Sequence, residues 1–365
     1  MVSEEKLAKS IVQGSLRPKE YEVVLISCAP HTIPLAERVA VECQRAGADP
    51  ALWLDTDAVF YGQFKNYSLD NLRRVSGHCI GLLDYVNSYV WLSGVRDPSG
   101  MARVPRETWA AYNEGEQAHS DKGNEKKTKN VGTTLGLLTR ERAKTYGFNY
   151  AAWKAQLEAA IAVNYQTLET FGTTVAGLLE RPVGVRVTAE NGTDLTFRLA
   201  GEARRAHVND GVISDADIAA GNFDTSLPAG SVDIAPREDS ANGVFVADAA
   251  TPQYGKRIEG TAWTFRNGRV TDFTAKKNLA LVQTGWETGT GAKDLLGTLG
   301  LGLNKKAKPG FLNTGIVAGA VALSIGENRS LGGTNRSSYG AIAYLASGTV
   351  EVAGKTVIEG GKWVI

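Results

Sequence analysis

The densest run of reactive side chains is SLPAGSVDIAPREDSANG, residues 226–243, which places Ser231, Asp233, Arg237, Glu238, Asp239 and Ser240 among glycines and prolines. A segment of that composition joining two strands is either a surface turn or a ligand loop. A serine there becomes a nucleophile only with a base in hydrogen-bond reach, and Glu238 or Asp239 is the expected base. Other chemistries find less support. The histidines are His31, His78, His119 and His207, and none is spaced with a second ligand type to make a local metal motif. Cys28, Cys43 and Cys79 show no CxxC pair, so a disulfide scaffold or structural zinc is not expected. Cys28 closes an expected strand and reads as a small buried residue. No GxSxG elbow, phosphate loop or dinucleotide fingerprint occurs.

The elements that must position these residues fall into two textures. Residues 3–15 have the spacing of a short amphipathic helix. Glu20–Cys28 is an apolar, β-branched run that suits a buried strand, Pro34–Gly47 has helical spacing ending on glycine, and Ala48–Leu54 is strand-like again. This is a βαβ unit with a parallel sheet. A helix over Leu69–Val75 and strands over Ser88–Gly94 and Val131–Leu138 continue it. Residues 103–130 are polar and read as a solvated helix end and loop rather than a basic docking patch. Tyr150–Leu179 carries one long helical spacing, a connector between domains. From Pro182 the chain alternates, with Asn-Gly turns at 191–192 and 267–268 and a third hairpin over Thr349–Ile365. The expected fold is therefore an α/β N-terminal domain (1–180) and a strand-rich α+β C-terminal domain (181–365).

Composition bounds the function classes. The 365 residues carry 40 Lys+Arg against 39 Asp+Glu, a net charge of +1, which offers no basic stripe for nucleic acid. The N-terminal segment is charged and lacks an apolar leader. The longest uncharged run, between Lys308 and Glu327, contains Pro309 and four glycines and reads as core or subunit contact. A cytoplasmic protein without a membrane partner is expected.

Taken in order, seven motifs resemble a known family: GTDLTF (192–197), LPAG (227–230), AP-x-x-x-S-x-x-G (235–243), IEG (258–260), LG-x-G-x-N (299–304), a glycine-rich block ending SIG (324–326) and GG-x-N-x-S (332–337). They are similar to the thermophilic aminopeptidase family of metallopeptidases, the aminopeptidase T-like proteins. The ring-cleaving dihydroxypyridine dioxygenases resemble the same family. The likeness is most specific from about 185 to 343 and implies an aminopeptidase T-like fold and a homodimer. It also implies a dinuclear metal site that activates water. Position by position, the family's ligands correspond here to Ser231, Thr298, Ala322, Gly340 and Ile342, and its Glu-Lys pair to Gly315-Ile316. None of these supplies the anionic oxygens and imidazoles that two divalent ions require, so neither metal nor other cofactor is expected.

A cavity that outlives its metals implies three functions. The first is a metal-independent hydrolase acting on an amide or ring C–N bond of a small molecule. Its catalytic candidates are Ser231, Glu238, Asp239, Thr298 and Tyr339, and its substrate-binding candidates are Arg237, Lys277, Asn304, Asn335 and Ser337, with Lys276 as a second cation. The second is a non-catalytic small-molecule-binding or assembly protein. The third is a metallo-aminopeptidase with relocated ligands drawn from Asp233, Glu238, Asp239 and His207.

Overall fold

The computed structural model describes residues 3–201 and 204–365. Two compact units emerge: one runs to Ala162 and takes back Gly211–Pro228, and the other comprises Val163–Asp210 and Ala229–Ile365.

In the first unit, strands β1 (Val23–Cys28), β2 (Asp49–Leu54), β3 (Ser88–Leu92) and β4 (Lys129–Thr133) form a parallel sheet in the order β2-β1-β3-β4. The sheet is completed by β8 (Asp224–Leu227), parallel to β4. The helix Ile33–Arg45 lays Ala36, Val39 and Cys43 against β1 and β2, where Val24 and Ile26 are fully buried. Burial pushes the Cys43 thiol up to about 12, so it is a core residue, not a reactive one. Cys28 is buried as expected. Two local expectations change. The polar stretch 103–130 is mostly one helix, Arg106–Lys126, whose Lys122 and Lys126 pair with Asp84. The single helix expected over 150–179 is two, Tyr150–Ile161 and Tyr165–Leu179, because Asn164 caps the second through the Thr167 N–H.

The second unit is antiparallel. Its larger sheet has the order β14-β13-β10-β6-β5-β18-β19-β20. The members are β5 (Gly184–Thr188), β6 (Asp194–Arg198), β10 (Asn242–Val246), β13 (Ala262–Arg266), β14 (Arg269–Thr274), β18 (Thr349–Val352), β19 (Lys355–Glu359) and β20 (Lys362–Trp363). The hairpins β5–β6 and β13–β14 turn at the two Asn-Gly pairs, with Asn267 and Gly268 both at positive φ. A smaller sheet runs β17-β16-β15-β9-β7, from β17 (Gly340–Leu345), β16 (Val321–Gly326), β15 (Leu296–Gly302), β9 (Ser231–Ile234) and β7 (His207–Asn209). A separate hairpin, β11 (Thr251–Gln253) with β12 (Lys256–Ile258), completes the strands. The core joins Val187, Leu195, Phe245 and Trp263 of the larger sheet to Val232, Leu301, Leu323 and Leu345 of the smaller, with Leu168, Val175 and Leu179 of the helix Tyr165–Leu179.

Candidate active site

Period-two alternation divides the smaller sheet into an apolar and a polar face. Val232, Ile234, Leu299, Leu301, Val321 and Leu323 point into the core and are fully buried. The alternating positions carry Ser231 and Asp233, Thr298 and Gly300, Ala322 and Ser324, and Ile342 and Tyr344. Across the five strands the register aligns His207, Asp233, Gly300, Ala322 and Tyr344 in one row.

Small residues in the middle of that row leave room for the charged and aromatic ones beside them. A Cβ on Gly300 would lie 2.4 Å from Asp233 Oδ1. The loop over β15 and β16 likewise needs Gly315, where a Cβ would lie 3.1 Å from Tyr344 Cε1. The Ser231 hydroxyl donates to Asp233 Oδ2 at 2.6 Å. Burial raises the Asp233 carboxyl above the ordinary carboxylate range, opposed by the Ser231 hydrogen bond and by His207. Burial, with the neighbouring Asp233, pushes the Tyr344 phenol up to about 12. Thr298 and Ser324 join their hydroxyls at 2.7 Å on the same face. Beside the far end of the sheet, a cavity of about 200 Å³ is bounded by Thr251, Ile258, Trp263, Val282, Gly340 and Ile342.

The other expected site residues are held elsewhere in the unit. Glu238 does not meet Ser231: it pairs with Arg204 at 2.8 Å and accepts from the Thr334 N–H and the Asn328 amide. These donors overcome its burial and hold it down to about 2, too weak a base to take a serine proton. Asp239 pairs with Arg237 on the surface, both exposed. Lys277 is exposed and pairs with Glu259 at 2.9 Å. Asn304 is fully buried, donates to the Ala229 carbonyl at 2.7 Å and accepts from the Lys306 and Ala307 N–H groups. Asn335 donates to the Leu296 and Gly326 carbonyls, and Ser337 to that of Thr290. Tyr339 is buried against Gly285, Gly289 and Trp286. These four organise loops and the helix Leu279–Thr288. Sequence reasoning missed Asp233 as the partner of Ser231, although Ser-x-Asp on a strand places both on one face. Tyr344, two residues beyond Ile342, carried the same signal.

Residues 148–309 match the sequence profile of the thermophilic metalloprotease (M29) family. The fold is AmpT-like. Wild-type AmpT from Thermus thermophilus superposes with a TM-score of 0.69 at 15% identity, over 99% of each chain. The 2,5-dihydroxypyridine dioxygenase from Pseudomonas putida KT2440 superposes with a TM-score of 0.63 at 14% identity, over 100% of this chain and 98% of that one. No curated protein sequence matches the chain. The positions that the sequence resemblance sets against the family's ligands, Ser231, Thr298, Ala322, Gly340 and Ile342, all fall on the polar face. None of these five side chains is a carboxylate or an imidazole. Nor do relocated donors gather: Asp233 and His207 share the row, but Glu238 and Asp239 are committed to Arg204 and Arg237. Among the described residues no group of three or more His, Cys, Asp or Glu could hold a metal ion. The residues do not fit the metals the family implies. Among the described residues, no helix is long and apolar enough to cross a membrane.

Proposed function

We propose that this chain is a metal-independent hydrolase that opens an amide or ring C–N bond of a small molecule, with Ser231 as nucleophile and Asp233 as its base. The observation that carries the reading is the 2.6 Å hydrogen bond from Ser231 to a carboxylate whose proton affinity is raised by burial, on the face that bears the former ligand positions. Ser231 Oγ attacks the carbonyl carbon as its proton passes to Asp233. The tetrahedral intermediate then collapses by breaking the C–N bond, and the leaving nitrogen takes the proton from Asp233. Water, deprotonated by Asp233, releases the acid and restores the serine. Tyr344, protonated at neutral pH, is a hydrogen-bond donor for the developing oxyanion. The protein works in this reading as a cytoplasmic homodimer.

The test is turnover of a panel of small linear and cyclic amides by chelator-treated protein, with a fluorophosphonate probe to tag the activated serine. Turnover that survives chelation, disappears in Ser231→Ala and coincides with a tag on Ser231 supports the reading. Turnover lost to chelation and restored by zinc or iron overturns it. Stoichiometric retention of a small molecule without turnover or tagging makes the chain a binding protein instead.

A further inference from the structure

A second place for a ligand lies in the same unit as Ser231, off the outer edge of the smaller sheet. The cavity of about 200 Å³ there is walled by four elements: the hairpin β11–β12, the start of β13, the helix Leu279–Thr288 and the edge strand β17. These walls are tied to one another. The Thr251 hydroxyl donates to the Ile342 carbonyl at 3.2 Å, which fixes the hairpin to β17. The Asn278 amide, at the head of the helix, donates to the Arg257 carbonyl of the hairpin at 2.7 Å. Strand β17 stands three strands from β9, so at about 4.8 Å per strand it is roughly 14 Å from the strand that carries Ser231. The cavity is thus a place separate from Ser231 and independent of any hydrolysis there.

Trp263 forms part of the cavity wall and is only 1% exposed. Its indole N–H has no hydrogen-bond partner among the described residues. The rings beside it are Phe245, stacked with centroids 6.2 Å apart, and Phe265, edge-on at 6.3 Å, and neither carries an oxygen or nitrogen acceptor. A buried donor left unpaired has lost its hydration without compensation, which costs more than one made hydrogen bond gains. An occupant with an acceptor removes that cost. The rest of the wall fixes the kind of occupant. Ile258, Val282 and Ile342 are apolar, Thr251, Gln253 and Thr261 are neutral, and among the described residues no charged side chain bounds the cavity. An ion would enter without a counter-charge, so a neutral molecule is favoured. A single water fills only about 30 Å³, whereas roughly 150 Å³ of apolar space takes a benzene-sized ring. We propose that this cavity binds a small neutral ring compound bearing a hydrogen-bond acceptor, with the acceptor on the Trp263 indole N–H and the ring against Ile258, Val282 and Ile342.

The full chain is titrated calorimetrically with cyclohexanone, with methylenecyclohexane as the hydrocarbon of the same shape and cyclohexylammonium as the charged analogue. The expected result is saturable one-to-one binding of the ketone, a downfield move of one tryptophan indole proton resonance, and no binding of the ammonium. Trp263→Phe removes the donor, so it should delete that resonance and weaken the ketone about fivefold, the usual worth of one neutral hydrogen bond, while changing the hydrocarbon by less than about twofold. Val282→Phe adds bulk to the cavity and should abolish binding of both, which keeps the test decisive if Trp263→Phe misfolds. Ser231→Ala should bind the ketone as the wild type does. No saturable binding, equal loss of ketone and hydrocarbon in Trp263→Phe, unchanged binding in natively folded Val282→Phe, or competition by cyclohexylammonium overturns the proposal. Loss of ketone binding in natively folded Ser231→Ala overturns it in favour of binding at the serine.

Discussion

At the scale of single residues, two carboxylates of the second unit behave in opposite ways, and their neighbours explain why. Asp233 has one hydroxyl donor and burial, so ionisation is disfavoured. Glu238 has a guanidinium, a backbone N–H and two side-chain donors, so ionisation is favoured. Replacing Asp233 by Asn removes the base and relieves the burial of a charge. Turnover should fall by at least about 100-fold, the usual size of a general-base contribution. The melting temperature at neutral pH should at the same time stay level or rise by a few degrees, roughly what a gain of under 1 kcal/mol gives. A fall in both activity and stability would show Asp233 to be structural. Glu238→Ala should instead cost about 3 kcal/mol in urea denaturation, because Arg204 is left buried without its partner.

At the scale of elements, glycines decide how closely strands and loops approach the site. Gly300→Ala puts a methyl against the Asp233 carboxylate, which is the far end of a side chain and can swing away. The strand should tolerate it within about 1 kcal/mol. Hydrolysis should drop roughly 10- to 100-fold, since misplacing a reacting group by about 1 Å has that effect. Assay and melt together on the same preparation check both halves of this expectation. Gly268 is different: its φ is +79°, and a Cβ would sit 1.7 Å from the Glu238 carbonyl oxygen. Backbone cannot swing away, so Gly268→Ala should destabilise by about 2–4 kcal/mol and loosen the Glu238 loop. A melt unchanged within error would contradict the packing described here.

At the scale of the whole molecule, the two carboxylates set opposing limbs of the pH–stability curve. Glu238 is held at about 2 against an unfolded value of 4.5, so the folded state releases its proton more readily. Its contribution is fully present above about pH 4.5 and is lost as the pH falls toward 2, amounting to at most about 3 kcal/mol. Asp233 is raised, so the folded state binds its proton more tightly and stability declines as pH rises above the unfolded value of 3.8. Urea denaturation from pH 2 to 7 should therefore show a steeper acid limb for the wild type than for Glu238→Gln. Asp233→Asn should show a flatter neutral limb than the wild type.

Local pattern by itself determined much of this protein. The apolar run of β1, the two Asn-Gly hairpins and the change of texture near residue 182 follow from side-chain periodicity and turn chemistry, which act over a few residues. That the positions set against the family's ligands carry no carboxylate or imidazole was legible for the same reason: Ser, Thr, Ala, Gly and Ile have none wherever the fold places them. The tertiary structure alone decided which hydroxyl meets which acid. Glu238 and Asp239 are rich in chemistry on paper, but Arg204 and Arg237 claim them, and those pairings depend on loop paths no spacing reports. The return of β8 to the first sheet, and the row that aligns His207, Asp233, Gly300, Ala322 and Tyr344, likewise depend on strand register between segments up to 137 residues apart. Register follows from burying one face of every strand at once, a condition imposed by the assembled core and not by any one stretch of chain.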